Sequence, residues 1–257
     1  MTESAFTALV LAASRGPEDP VARAEGVSHK ALVDVAGTPM LLRVVRALSA
    51  SRAVGRIAVG IEDPAVLATL GESGLIAAPT GNTPGASVLA GAAALDNPFP
   101  LLVTTGDHAL LTPEMVDRFC TDALATGADV VAGLATKETI LKDHPDTVRT
   151  YLKFRDGDYS GCNLFALLTP RGLKAPEFWG HIEHQRKRPW RLVRAFGAMS
   201  LVLFALRLLT LDGAFKRAGK RFGAKAAAVL LPWSEAAIDV DKPADLELVR
   251  KILGRDR

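Results

Sequence analysis

The residues of this chain with chemistry in them are a few carboxylates at the ends of apolar runs and one lysine behind a glycine-bearing loop. Asp107 closes the run LLVTTGD. A carboxylate at the end of a buried strand needs a partner or a metal ion, because an unpaired charge out of water is costly. Asp239 and Asp241 sit two apart in AIDVDKPADL. One of them is expected to face a site directly, Asp241 first and Asp239 second. Asp245 follows Pro243 in a first helical turn and reads as a structural cap. Two carboxylates from distant parts of a chain suit Mg²⁺, which takes few hard oxygen ligands and completes its shell with water and phosphate oxygens. The scattered histidines and the isolated Cys120 and Cys162 form no zinc cluster. His108 reads as a turn residue.

The loop lies in LVLAASRG, residues 9–16, directly after an apolar run. Backbone N–H groups in such a loop can approach phosphates, and Lys30 beyond it can neutralise phosphate as a point charge. No GxxxxGK[ST] and no GxGxxG follows that run, so neither a Walker loop nor a dinucleotide fingerprint is present.

With these motifs the sequence resembles the nucleotidyltransferase superfamily of the molybdenum-cofactor guanylyl/cytidylyltransferase type. Sugar-phosphate and methylerythritol-phosphate cytidylyltransferases are more distant relatives. That family opens on a strand, L-A-A-G-x-G-x-R, a loop, K-x-L and G-x-P-[ML]. Leu11, Ala12, Ala13, Gly16, Lys30, Leu32, Gly37 and Pro39 fit this frame. Ser14 replaces the first glycine, Glu18 stands where the arginine is expected, and Arg15 or Arg23 is left to supply a guanidinium.

The resemblance implies that residues 11–16 and Lys30 hold a nucleoside triphosphate, and that Asp107 and Asp241 hold Mg²⁺ against it. It places Ser87, in a segment like the family's G-x-x-x-x-x-S-V-x-x-G-L, near the nucleotide; a plain N-cap is the other reading of Ser87. It places Asn163, in a G-x-N element, on the acceptor side. Arg149, Tyr151, Lys153 and Arg155 alternate, so they are expected to share one face of a strand. Lys153 there is the candidate for meeting an acceptor phosphate.

These residues need elements to position them. Apolar runs at 6–12, 56–61, 101–105 and 128–134 read as strands, with a weaker one at 74–78. Helical spacing appears at 39–48, 86–95 and after the cap Thr112-Pro113. Strand–helix alternation through residue 134 argues for an α/β fold. The expectation is a single doubly wound, mostly parallel sheet, Rossmann-like and of GT-A type. Both motif loops then fall at the carboxyl edge, beside a reversal of strand order. Further strands are expected at 148–154, 162–168 and 224–231, and a last helix at 243–253. A basic helical block over about 174–223 reads as an insertion in one domain covering the whole chain.

Composition bounds the partners. Of the 257 residues, 49% are hydrophobic and 23% charged, which suits a folded globular domain and excludes disorder. The net charge is only +3, which speaks against a nucleic-acid partner. The charge is uneven, however. Residues 186–225 carry eleven basic side chains against the single acid Asp212, and the rest of the chain is net acidic. That block, with Trp179, Trp190, Phe196 and Phe204, is a wall for an anionic acceptor, a peripheral contact for anionic membrane, or a solvated helix pair. Two lone cysteines suggest a reducing compartment, and the start of the chain reads as a first strand rather than a signal peptide, so the expected location is cytoplasmic.

The function these features imply is transfer of a nucleotidyl group, CTP or GTP favoured as donor, to a phosphorylated small molecule with release of pyrophosphate. A glycosyltransferase of GT-A type using a nucleotide sugar is an alternative, since Asp239-Val240-Asp241 has D-x-D spacing. A non-catalytic membrane- or protein-binding relative is another, supported by Ser14 and Glu18.

Overall fold

The computed structural model describes residues 6–14, 18–145, 147, 149–183 and 197–255. Arg15, Gly16, Trp190, Phe196 and the basic residues at 186–194 lie outside them.

The chain begins with β1 (Phe6–Leu11), whose side chains are buried on both faces until Leu11. A short helix α1 (Pro20–Glu25) follows, capped by Asp19, whose carboxylate accepts from Val21 and Ala22 N–H groups. Then come α2 (Met40–Ala50), β2 (Val54–Gly60), a one-turn α3 (Ala65–Ala68), β3 (Leu75–Ala78) and α4 (Pro84–Ala94). The next pair is β4 (Leu101–Thr105) and α5 (Pro113–Ala125). The Thr112 hydroxyl accepts from Met115 N–H and Pro113 opens the helix, so α5 starts where its sequence signal lies.

β5 (Val130–Thr136), α6 (Lys137–Asp143), β6 (Leu152–Phe154) and β7 (Gly157–Leu167) come next. The remaining elements are α7 (Lys174–Glu183), α8 (Ala198–Ala205), α9 (Leu211–Phe222), β8 (Ala226–Leu230) and α10 (Pro243–Arg255).

The strands form one eight-stranded sheet in the order β3-β2-β1-β4-β7-β5-β8, with β6 paired to β7. All pairs are parallel except those made by β7, which runs antiparallel to β4, β5 and β6. The α/β, mostly parallel sheet expected from the sequence is therefore present. β7 enters antiparallel because a two-residue turn after β6 sends it straight back, where a parallel strand would need a crossover helix.

The strand order reverses between β1 and β4. The chain winds outward through β2 and β3, then returns to the other side of β1. There the two strand ends approach closely: Gly106 N–H donates to Leu11 C=O at 2.8 Å, and a Cβ on Gly106 would sit 3.1 Å from that of Ala12. Only glycine gives β4 that exit without pushing the neighbouring loop aside.

Helices cover both faces. One core joins α2 and α5 to the sheet through Leu41, Val45, Leu48, Met115 and Phe119. On the opposite face α4 packs over Leu9 and Leu101, so tightly that a Cβ on Gly91 would lie 2.8 Å from Leu9 Cδ2. α10 has its own cluster with Val33, Val35 and Met40, which brings the C-terminal segment back against the lysine loop. The helical block of the second half packs its apolar sides over β8 and the β6–β7 hairpin.

Three short helices, α1, α3 and α6, have no counterpart among the elements expected from the sequence. The strand predicted over 148–154 is only Leu152–Phe154. Arg149 and Tyr151 precede it and do not share its face, so the common basic strand face is not formed.

Candidate functional site

The reversal of strand order gathers the chemically interesting residues at one edge. Lys30 opens a 3₁₀ turn, Lys30–Leu32, that His29 caps by accepting from Ala31 N–H through Nδ1. Its ammonium donates to Asp107 Oδ2 at 2.7 Å and lies 4.0 Å from Asp241 Oδ1. Asp107 stands two residues past β4, beyond Gly106. Asp239 and Asp241 come from an extended segment after β8 that is tied down by Val240 N–H donating to Asp107 C=O at 3.1 Å. Lys30, Asp107 and Asp241, three positions singled out in the sequence, are thus brought together from three remote stretches.

The two C-terminal carboxylates have different surroundings. Asp239 accepts from Arg149 Nη2 at 2.6 Å and from Asn163 Nδ2 at 2.7 Å, so both its oxygens are held by protein. Asp241 keeps 72% of its side chain exposed. Partial desolvation by the cleft, together with the neighbouring Asp239 and Asp107 carboxylates, pushes its pKa above the ordinary carboxylate value against the pull of Lys30. Asp245 is structural: its Oδ2 accepts from the N–H groups of Asp241 and Lys242, each at 3.1 Å.

Asp107 Oδ1 is buried and has no hydrogen-bond partner. An orphaned carboxylate oxygen beside a second, repelled carboxylate is an arrangement that a divalent cation would satisfy. Among the described residues no group of three or more His, Cys, Asp or Glu could hold a metal. A site built here therefore has two protein carboxylates, the low ligand count that suits Mg²⁺ with water and phosphate.

His108 lies in the turn expected of it, with a feature the sequence does not show. Its backbone follows the turn, but its side chain is 1% exposed and neither ring nitrogen has a hydrogen-bond partner. Burial lowers its pKa to about 4, although Asp107 and Asp239 pull the other way. A neutral imidazole thus backs the acidic cluster from inside the fold.

Along the opening loop, Ala12 N–H continues the sheet onto Gly60 C=O at 2.9 Å. Ser14 N–H donates to both Glu62 oxygens, at 3.1 and 3.2 Å, and His29 Nε2 lies 3.1 Å from Glu62 Oε1. Sequence reasoning missed Glu62, because nothing in its local context marks a residue after β2 as a partner of the first loop. Leu11 is half-buried and Ala13 exposed; Arg15 and Gly16 fall outside the described residues.

Ser87 is not the N-cap of α4. Thr83 caps that helix by accepting from Ala86 N–H. The Ser87 hydroxyl, 4% exposed as a residue, instead accepts from Gly81 N–H at 3.0 Å and donates to Gly81 C=O. It braces the loop between β3 and α4 at the same edge of the sheet.

Asn163 joins the cluster through Asp239 and carries a left-handed backbone, φ 49°, within β7. The β5–β7 register shifts between Ala132 and Leu134, opposite that residue. Arg149, not Lys153, is the basic residue of its segment that reaches the cluster. Lys153 is exposed on β6, in register with Asp158. The clue to Arg149 was its place in the basic alternation, but only the hairpin geometry separates it from Lys153.

Comparison with known proteins gives the same frame. The model of the MobA-like NTP transferase domain matches residues 8–173. A solved hypothetical transferase from Thermus thermophilus is 32% identical over 94% of this chain and 99% of its own, with a TM-score of 0.77. A CMP:2-keto-3-deoxy-manno-octonic acid synthetase solved with CTP superposes at 0.62 with 14% identity, over 99% of this chain and 100% of that one. A 4-diphosphocytidyl-2C-methyl-D-erythritol synthase from Anaerococcus prevotii superposes at 0.59, also with 14% identity, over 98% and 99%. These last two likenesses are of fold. No curated protein sequence matches the chain significantly.

Proposed function

We propose that this chain, which belongs to the MobA-like NTP transferase domain family, transfers a nucleotidyl group from a nucleoside triphosphate, CTP or GTP, to a phosphorylated small molecule. The observation that carries the reading is the Lys30–Asp107–Asp241 cluster at the reversal of strand order, with one buried carboxylate oxygen unsatisfied. An acceptor phosphate oxygen attacks the α-phosphorus in line. The new P–O bond forms as the bond to the β-phosphate oxygen breaks, and pyrophosphate leaves with the electron pair.

The protein supplies position and charge. Asp107 and Asp241 would hold Mg²⁺, which when bound neutralises phosphate charge as a Lewis acid. Lys30 turns its ammonium from Asp107 toward the phosphates and stabilises the charge that develops there. Residues 11–16 line the nucleotide, with Ser87 bracing the loop across from them. Asn163, fixed by Asp239 through its amide N–H, presents its carbonyl oxygen to an acceptor hydroxyl. Lys153, exposed on β6, is at most an outer contact for the acceptor. The whole chain works as one domain in which residues 174–223 form an insertion, and the two buried free thiols suit a reducing cytoplasm.

The test is pyrophosphate release from each NTP with Mg²⁺ and a panel of phosphorylated acceptors. Release is expected with one base and one acceptor class, and chelation with EDTA abolishes it. Asp107→Asn is expected to lower the rate by about a thousandfold. Wild-type activity in that variant overturns the cluster assignment. A nucleotide sugar accepted in place of the NTP, with no pyrophosphate formed, favours the glycosyltransferase alternative.

A further inference from the structure

Helix α8 is apolar on both sides, yet only one side is covered. Leu203 and Phe204 pack on a cluster with Leu134, Tyr159 and Phe154, and the Phe204 and Phe154 rings meet edge-on at 5.3 Å. On the other side Met199, Val202 and Leu206, spaced three and four apart, are 65%, 50% and 63% exposed, and Leu208 beyond them is 54% exposed. Four of the ten large hydrophobics exposed among the described residues fall within these ten positions. Single exposed leucines are ordinary, but a contiguous set marks a surface made for contact.

The end of the helix sharpens the point. Arg207 takes the left-handed conformation, φ 55°, at a position where helices usually place glycine. Leu208 N–H then reaches back to Leu203 C=O at 2.8 Å. The turn leaves Leu206, Arg207 and Leu208 all exposed, a cation between two leucines.

The surroundings are basic. The next helix exposes Lys216, Arg217, Lys220 and Arg221. The Arg221 guanidinium lies beside Gly197 at the start of α8, only 2.6 Å from where a Cβ would be. No described helix is long and apolar enough to cross a membrane.

We propose that the Met199–Val202–Leu206–Leu208 face docks on an anionic lipid bilayer. The leucines enter the acyl boundary and the surrounding lysines and arginines meet the headgroups. A protein partner or a second copy with a matching apolar patch has no such need for the exposed Arg207 between the leucines and the exposed Lys216, Arg217, Lys220 and Arg221 of the neighbouring helix, whereas a bilayer with acidic headgroups rewards each by electrostatic attraction. α8 packs on the β6–β7 hairpin, at the same edge of the sheet as Asp107 and Asp241, so the docked protein would hold that edge toward the lipid. The proposal stands independently of nucleotidyl transfer.

The experiment is co-sedimentation of the full chain with phosphatidylcholine vesicles and with mixed phosphatidylcholine–phosphatidylglycerol vesicles, over a salt series. Binding is expected only to the mixed vesicles, to weaken with salt, and to fall about tenfold or more in L206D/L208D. Arg207→Glu, an exposed single change, is the second variant should the double one not fold, and it also weakens binding. Equal binding to neutral vesicles, no binding to either, or binding unchanged in the folded variants overturns the proposal. So does a lipid-free dimer that the same substitutions dissolve, which would assign the face to a second copy.

Discussion

Residue by residue, the site divides into groups that hold charge and groups that hold those groups. Lys30, Asp107 and Asp241 belong to the first kind, and their residue types and flanking patterns announced them. His108 belongs to the second: it lies in the turn its sequence predicts, but the burial of its side chain is not legible there, because burial of a loop side chain is set by the whole fold. Its consequence is measurable. The imidazole takes a proton near pH 6.5 in the unfolded chain but only near 4 in the folded one. The folded state therefore has its full stability above pH 6.5 and loses part of it as pH falls from there to about 4, levelling off below. The loss is on the order of 3 kcal/mol. Urea unfolding at neutral pH and at pH 4.5 is expected to show a smaller drop in His108→Phe than in the parent; an equal drop contradicts the burial account.

Glu62 is a second residue of this kind. Its carboxylate occupies the Ser14 N–H and faces His29, where under the proposed function an incoming nucleotide would place its own negative charge. Glu62→Gln keeps the shape and removes the charge, so calorimetry is expected to show severalfold tighter NTP binding. Weaker binding would mean that Glu62 chiefly supports the loop.

At the scale of elements, the strand–turn–helix units did what their sequences said. β4 spans the residues read as a strand, α5 begins at Thr112-Pro113, and α10 begins at Pro243. Periodicity and capping are local signals, so they are legible locally. What was not legible depends on pairing between distant segments: the antiparallel entry of β7, the shortened β6, and the choice of Arg149 over Lys153. The Arg149–Asp239–Asn163 bridge couples the last loop to β7, and Asn163 bears a left-handed backbone to make it, at a cost of about 1–3 kcal/mol. Arg149→Met is expected to lower turnover about 10–100-fold, as loss of a supporting contact around a metal site does, while leaving NTP affinity near its parent value. Steady-state kinetics with calorimetry separates the two; a loss confined to NTP affinity contradicts the placement.

Across the whole molecule, the small net charge conceals two regions of opposite character. The sheet carries Asp107 and Asp241 at the edge where strand order reverses, and the described part of the basic block exposes Arg207, Lys216, Arg217, Lys220 and Arg221 on and beside an apolar helix. That Lys30, Asp107 and Asp241 gather where the strand order reverses was legible once the α/β alternation was accepted, because the loops after the strands of such a sheet meet at that edge. The base and the acceptor were not legible, since they depend on surfaces assembled from loops.

The central claim is nucleotidyl transfer, and following the label through the reaction tests it most directly. With the preferred NTP, Mg²⁺ and a competent acceptor, an α-phosphorus label is expected to appear in the acceptor product, while a γ-phosphorus label leaves in pyrophosphate. A γ-label found on the acceptor, or an α-label that remains in free nucleotide while product forms, would contradict the account.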